Sequence, residues 1–518
     1  MSEKKSPTLL VILDGYGIAP PSKGNAITLA KKPAIDKLFD VYPSTTLCAT
    51  GTCVGLESHK MSGSEAGHMN IGAGRIIRQD SRYITDSIKD GSFFMNPAMM
   101  GAVKHVKRSG GNFHAMDLLG NSDSPHADPE HLRAVLKMAK KNGIPEVYCH
   151  LFTDGRDSYP KSALEHLKYF RKMMKEEGIG KIATLSGRFY AMDRAKNWKR
   201  LTLAYDTMVF ARGESAESAE AAIENAYKNN LTDEYLLPTF ITEGGEPVAI
   251  IKADDSVIFY NFRSDRARQF SKLFIAIDEA SILRDDMPVI DKLKDLYFVA
   301  LTDFGPGLDE HTAFPEHQLL ATLPMALGGL KQLYIAESEK FAHVTYFLNG
   351  GYADPVDGED RVMIKSPAVD SYAAVPEMSA AEITAYVKEK IENDAYDFIT
   401  INYANADMVG HTGDLPATIR AVETLDEQIK LLSEAVLKKE GHLVITADHG
   451  NADDMVDFES DQPNTFHTKN PVPLLLVSEK FKDKKLRDGG VLGNISPTLL
   501  EIMGVERPKA MTKESLLV

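Results

Sequence analysis

Leu9-Leu10-Val11-Ile12-Leu13-Asp14-Gly15-Tyr16-Gly17 reads as a buried strand that runs straight into a carboxylate and a glycine turn. Five consecutive aliphatic residues leave no polar face, so both sides of such a strand must be covered. Short apolar runs of the same kind recur at residues 146–152, 398–402 and 442–447. Amphipathic helical stretches lie between them. Ser162 and Glu165 form a candidate capping box, with Leu164, Leu167 and Met174 near one helical face. Leu425, Ile429, Leu432 and Val436 repeat the pattern towards the C-terminus. Alternating strand and helix predicts an α/β fold with a doubly wound, mostly parallel sheet. In such sheets ligands sit beyond the carboxyl ends of the strands. Here the strands end in chemistry: Asp14 closes the first, Asp154 follows the second, and Asp448-His449 follow the last.

Composition narrows the class. The 518 residues are 43% hydrophobic and 26% charged, which is ordinary globular composition with room for several domains. No apolar run reaches the roughly 18 residues a membrane helix needs. The polar N-terminus and the short run behind it do not make a signal peptide, so a cytoplasmic location is expected. A net charge of −15 argues against nucleic acid as a main partner. It leaves open a small anionic substrate, which responds to local charge. Cys48, Cys53 and Cys149 form no CxxC pair, and reduced thiols are expected.

A set of possible metal ligands lies at these strand ends and in nearby loops. Asp407 and His411 are four apart and share a face if helical. Asp448-His449-Gly450 follows a strand, His467 sits in a Thr465–Thr468 loop, and Asp14 joins them. Mixed oxygen and nitrogen ligands suit Mn²⁺, Zn²⁺, Co²⁺ or Fe²⁺ better than Ca²⁺ or Mg²⁺. Together they suffice for two ions about 3.5–4 Å apart, the spacing that supports in-line phosphoryl displacement. Taken singly, each piece is equally consistent with an ion pair or a turn.

The loop Met61–Asn70 holds two serines among small residues, and Ser64 precedes Glu65. A metal can activate a serine hydroxyl, although a plain Gly/Ser turn explains the same residues. Residues 70–74 are expected to open a helix favourable to an anion. His68 reads equally as structural or catalytic. Four arginine-bearing motifs occupy the middle of the chain: Asp154-Gly155-Arg156-Asp157, Ser186-Gly187-Arg188, Met192-Asp193-Arg194 and Asn261 to Arg268. Arginine forks suit carboxylate and phosphate, and surface ion pairs with the adjacent aspartates are the simpler alternative. Glycine-rich residues 72–75 and the stretch 304–315 are candidate linkers around this segment.

Several motifs carry a family resemblance across essentially the whole chain. They are residues 10–15, 63–75, 154–157, 190–194, 402–413, 446–452 and 467–473. In them the chain resembles the cofactor-independent (2,3-bisphosphoglycerate-independent) phosphoglycerate mutases of the alkaline phosphatase superfamily. The resemblance implies interconversion of 3- and 2-phosphoglycerate in glycolysis and gluconeogenesis through a phosphoserine. It implies Ser64 as nucleophile and metal ligand. Asp407, His411 and His467 would hold one divalent ion, and Asp14, Ser64, Asp448 and His449 the other. Mn²⁺ is expected, with Zn²⁺ or Co²⁺ as alternatives, and no 2,3-bisphosphoglycerate. The substrate clamp would be His126, Arg156, Asp157, Arg188, Arg194, Arg263, Arg266 and Lys340, with Asp157 as general acid/base.

One segment departs from the family. The usual S-D-G-G-V-H run reads Asn121-Ser122-Asp123-Ser124-Pro125-His126, and proline stiffens the backbone there. His131 is the alternative histidine. The resemblance also implies an alkaline-phosphatase-like domain from residues 1–78 and 313–518, with residues 79–312 inserted as a second α/β, phosphotransferase domain. A monomer acting on a small molecule, without nucleic acid or membrane, is expected. Other readings are a phosphopentomutase, phosphatase or sulfatase on the same scaffold, or a non-catalytic protein with a structural metal.

Overall fold

The computed structural model describes residues 6–276, 287–288, 290, 292–305, 307–315, 318–457 and 462–518. The chain divides into two compact units, Met1–Gln79 with His317–Val518, and Asp80–Glu316.

The first unit is built on an eight-stranded sheet. Across it the strands are Glu359–Ile364, Gln332–Glu337, Phe398–Tyr403, Thr8–Leu13, His442–Thr446, Val472–Val477, Ser44–Cys48 and Gly490–Val491. All neighbours are parallel except Val472–Val477, which runs antiparallel to both of its own. The aliphatic run quoted first lies in the middle of the sheet and is buried along its whole length. Ile12 pairs in register with Asn402 on one side and Thr446 on the other. Helix Leu415–Lys438 covers the sheet with Leu425, Ile429, Leu432 and Val436, all buried in the same core. Four adjacent parallel strands end on one edge, and each is followed by a candidate site residue. Lys340 follows Gln332–Glu337, Asp407 follows Phe398–Tyr403, Asp14 follows Thr8–Leu13, and Asp448 follows His442–Thr446.

The second unit repeats the logic. Its main strand order is His311–Phe314, Tyr297–Thr302, Ser256–Phe259, Phe113–Leu119, Val147–Thr153, Lys181–Gly187, Thr239–Glu243 and Glu214–Ala216. The central strands are parallel, and Thr239–Glu243 is antiparallel to Lys181–Gly187. His126, Asp154 with Asp157, Arg188 and Arg263 all come after the carboxyl ends of neighbouring strands. Among the described residues no helix is long and apolar enough to cross a membrane.

Five local expectations are corrected. The helix near the serines opens at Ser64 and spans Ser64–Ala73, so residues 70–74 close a helix where the sequence suggested they open one. Gly72 and Gly74 are therefore helical packing and capping residues, not a linker. A Cβ on Gly72 would lie 1.9 Å from the Leu348 carbonyl oxygen. Gly74, at φ +61°, supplies the left-handed C-cap. The second expected linker contains the strand His311–Phe314, whose pairing with Tyr297–Thr302 carries the second unit on to Glu316. Ser162 does not cap its helix by its side chain. Its hydroxyl donates to the Tyr159 carbonyl, while Asp233 Oδ2 accepts from the backbone N–H groups of Ser162 and Ala163, each at 2.8 Å. Finally, Cys48 and Cys53 are disulfide-bonded, and Cys149 is a free, buried thiol. The five-residue spacing looks unlike a CxxC site, but a tight turn after strand Ser44–Cys48 brings the two Cα atoms to 5.9 Å.

Candidate metal centre and anion cluster

Ser64 is the first residue of its helix, behind Gly63 in extended backbone. The first-turn N–H groups of a helix lack internal partners and favour negative charge. Its hydroxyl lies 3.0 Å from Asp14 Oδ1 and 2.9 Å from His449 Nε2, and accepts from Lys340 Nζ at 2.8 Å. The helix gets this close because Gly67 has no side chain: a Cβ there would sit 2.7 Å from that of Asp448.

Lys340 is the central cation. It donates to Asp14 Oδ1 at 2.7 Å and to Asp407 Oδ2 at 2.6 Å while buried. Burial alone would lower its pKa, but Asp14 and Asp407 together hold it above the usual lysine value. Asp14 is pushed the other way, upward, by burial and then by Asp448. Asp407 and Asp448 are held below the usual range. Burial opposes this, and is outweighed by His411 and Lys340 in the first case and by His449 and His68 in the second.

Asp407, His411 and His467 offer ligand atoms that all lie within 4.8 Å of one another. Both rings are oriented by backbone carbonyls: His411 Nδ1 lies 2.7 Å from Thr465 O, and His467 Nδ1 2.7 Å from Ser62 O. A carbonyl only accepts, so each Nδ1 carries the proton of its bond. The two Nε2 atoms then face each other at 3.1 Å, with Asp407 Oδ1 at 3.1 and 3.4 Å. Three converging electron-pair donors fit a divalent cation, with the outer ring nitrogens fixed as metal-binding imidazoles usually are.

Two further groupings overlap: Asp14 with Asp407 and His449, and Asp14 with His68 and Asp448. The expected second set of Asp14, Ser64, Asp448 and His449 is thus gathered in one buried place. His449 Nε2 lies 3.4 Å from Asp14 Oδ1 and 3.6 Å from Asp448 Oδ2. Asp448 Oδ2 is also a buried oxygen without a hydrogen bond, which suits a ligand position.

Sequence reasoning missed Asn402 and Asn451 beneath these groups, and it left His68 open between a structural and a catalytic place. Asn402 Nδ2 donates to Asp14 Oδ2 at 2.7 Å and to His68 Nε2 at 3.0 Å. His68 Nδ1 in turn reaches the Ser64 carbonyl at 2.8 Å and lies 3.3 Å from Asp448 Oδ2. Asn451 Nδ2 lies 3.3 Å from Asp407 Oδ1. The available signal was polar side chains closing otherwise aliphatic strands and following the Asp-His-Gly turn.

In the second unit, Arg188 is buried and donates to Asp154 Oδ1 at 2.6 Å and Asp157 Oδ2 at 2.5 Å. Its other nitrogen lies 3.0 Å from His126 Nε2, which is also 3.0 Å from Asp157 Oδ2. Burial pushes the His126 ring down to about 4, so it is neutral at neutral pH. Burial would raise the Asp157 carboxyl, but His126 and Arg188 hold it below the usual range and ionised. His131 stands apart from this group, with Nε2 3.3 Å from Thr85 Oγ1.

Arg194 and Arg263 both grip Asp265, at 2.9 and 3.0 Å, so the ion-pair alternative accounts for this part of the cluster. Arg263 precedes helix Ser264–Ile275 as its N-cap, so the pair Arg263 and Arg266 is not a strict helical face. Burial, then the neighbouring Arg194 and Arg188, lower Arg266 to about 10, a sign of crowded positive charge. Arg156 is the most exposed of the set and lies 3.6 Å from Glu234. Asp154, which sequence reasoning left without a role, anchors the loop by accepting from the backbone N–H groups of Arg156 and Asp157 as well as from Arg188.

A doubly wound α/β frame with clustered aspartates and histidines at its strand ends defines a metalloenzyme. Residues 6–507 match the family described as the metalloenzyme superfamily. Curated relatives include the 2,3-bisphosphoglycerate-independent phosphoglycerate mutases of Clostridium novyi (46% identical) and Clostridium beijerinckii (47%), each matched over 99% of both chains. A solved Leishmania mexicana phosphoglycerate mutase, crystallised at low cobalt concentration, superposes with a TM-score of 0.83 at 28% identity, covering 99% of this chain and 98% of that one. The chain belongs to the 2,3-bisphosphoglycerate-independent phosphoglycerate mutases, and its activity is the isomerisation of phosphoglycerate.

Proposed function

We propose that 3- and 2-phosphoglycerate are interconverted through a phosphoserine at Ser64. The observation that carries this is the environment of the hydroxyl: Lys340 donates to it, and His449 and Asp14 can take its proton. Asp407, His411 and His467 would hold one divalent ion, and Asp14, Ser64, Asp448 and His449 a second. Mn²⁺ is favoured by the mixed oxygen and nitrogen donors, with Zn²⁺ or Co²⁺ as alternatives. Bound there, such ions would stabilise the Ser64 alkoxide and the charge on the transferring phosphoryl group.

The steps are as follows. Ser64 Oγ loses its proton and attacks phosphorus, and the bond to the glycerate oxygen breaks. The freed glycerate oxygen takes up the proton that the Ser64 hydroxyl gave to its base. Glycerate is retained and turns. Asp157, ionised and 3.0 Å from His126, accepts the proton of the other hydroxyl. That oxygen attacks the phosphoserine, the bond to Oγ breaks, and Oγ recovers a proton as Asp157 gives up the one it took. His126, Arg156, Arg188, Arg194, Arg263 and Arg266 bind the carboxylate and phosphate during the turn, and Lys340 balances phosphate charge at Ser64. Water must be kept out, because phosphoserine would otherwise hydrolyse.

On this reading residues 79–312 form a substrate domain inserted between residues 1–78 and 313–518 of the metal-binding domain, and the compact unit Asp80–Glu316 supports that division. The protein works as a cytoplasmic monomer with phosphoglycerate as its partner. Rapid quench of the metal-loaded enzyme with 3-phosphoglycerate, followed by peptide mass analysis, should find phosphate on Ser64. Ser64→Ala should lose mutase turnover while melting as a folded protein. Turnover retained in Ser64→Ala overturns the proposal.

A further inference from the structure

The His467 ring can serve a cation only if its backbone is held, because a single bond from Nδ1 to the Ser62 carbonyl aims Nε2 at Asp407 and His411. The residue after it is held by an unassigned carboxylate. Asp453 is 1% exposed, and its Oδ2 accepts from Thr468 Oγ1 at 2.8 Å and from Asn470 Nδ2 at 2.7 Å. The Thr468 N–H donates to the Gly450 carbonyl at 2.9 Å, forming an isolated antiparallel bridge. Asp453 itself is wedged between two glycines. A Cβ on Gly17 would lie 2.3 Å from its Oδ1, and one on Gly450 2.5 Å. The Asp453 turn is in turn fixed to the Asp14 strand end, since Asn451 and Ala452 donate their N–H groups to Gly15 O at 2.9 and 3.1 Å.

We propose that Asp453 is a positioning residue for the Asp407/His411/His467 cation site: it latches the His467 loop to the Asp448-His449 turn and so sets the distance between the two metal positions. The proposal rests on the metal-site reading above. It requires selectivity. Losing the latch should loosen the site that contains His467 and spare the site formed by Asp14, Asp448 and His449, whose members sit on strand ends.

The test is Mn²⁺ binding to the metal-stripped, full-length protein, followed by calorimetry and by the electron paramagnetic resonance signal of free Mn²⁺. Wild type, Asp453→Asn, Thr468→Val and His467→Ala are compared, the last marking which binding phase belongs to His467. Asparagine keeps the volume and removes the charge behind both accepted bonds. Thr468→Val removes only the hydroxyl of the latch, and it decides the matter if Asp453→Asn does not fold. The expected result is a loss of about 10–100-fold in affinity for the His467 phase, the usual effect of removing a support behind a metal ligand. The other phase should shift by less than about twofold, and the free Mn²⁺ signal at a given total concentration should rise. Unchanged binding in both variants, or equal weakening of both phases, overturns the proposal. A wild type that shows no phase sensitive to His467→Ala overturns the underlying metal-site reading itself.

Discussion

Replacing Lys340 by methionine is the sharpest test of how the centre is held together. Methionine keeps much of the length and removes the charge. The substitution deletes three bonds, to Asp14, Asp407 and Ser64, and leaves two buried carboxylates facing each other. Breaking a buried ion pair by removing one partner costs about 3–5 kcal/mol. At about 2 °C per kcal/mol for a domain of this size, the melting temperature in chelator should fall by roughly 6–10 °C. Lys439→Met is the control. It removes a surface pair with Asp394 at 2.9 Å, which should cost about 0–1 kcal/mol. With excess Mn²⁺ the cation compensates the same carboxylates, so more than half of the Lys340→Met deficit should vanish. Calorimetric scans with and without Mn²⁺ read both numbers. A fall of under about 2 °C in chelator would refute the reasoning, and so would a deficit equally large with and without the ion.

Acid should weaken the fold by a separate route. Burial lowers His126 and His442 from the usual 6.5 to about 4, so between those values the unfolded chain binds more protons and stability drops as pH falls. The loss by about pH 4.5 is on the order of 2–4 kcal/mol. Glu310, raised to about 7 by burial, opposes this, because its contribution is lost as pH rises through 7. Urea midpoints from pH about 8 to about 5 give the slope, and His442→Gln should flatten it; an unaltered slope in that variant would count against the assignment. Alkylation of the denatured, unreduced protein should label Cys149 alone, and prior reduction should expose all three thiols. Three labels without reductant would show that Cys48 and Cys53 are not bonded.

Much of the frame was legible because the physics behind it is local. An aliphatic run buried on both faces announces a central strand, and a polar residue at its carboxyl end announces a site. Asp14 and Asp448 were singled out that way, and Asp154 was marked by its position without a role. The four-residue step from Asp407 to His411 was legible too, since one helical turn puts both on one side. What stayed hidden depends on partners distant in sequence. Helix Ser64–Ala73 mixes small, polar and apolar residues with no apolar stripe, so its start at Ser64 left no periodic signal. Asp233 caps a helix that begins seventy residues earlier, while Ser162, with the right chemistry and spacing, spends its hydroxyl on Tyr159. Asn402 and His68 look like strand and loop residues until the sheet places them under Asp14.

The position of Thr8–Leu13 bears on how the chain is made. This strand is made before both of its neighbours in the sheet, Phe398–Tyr403 and His442–Thr446. Until they emerge it is an aliphatic ribbon without its sheet neighbours, a natural client for chaperones. The stretch Asp80–Glu316 is contiguous and can collapse meanwhile on its own neighbours. Lys340 and His449 are made long after Ser64, so a chain cut short of them carries that hydroxyl without either group beside it.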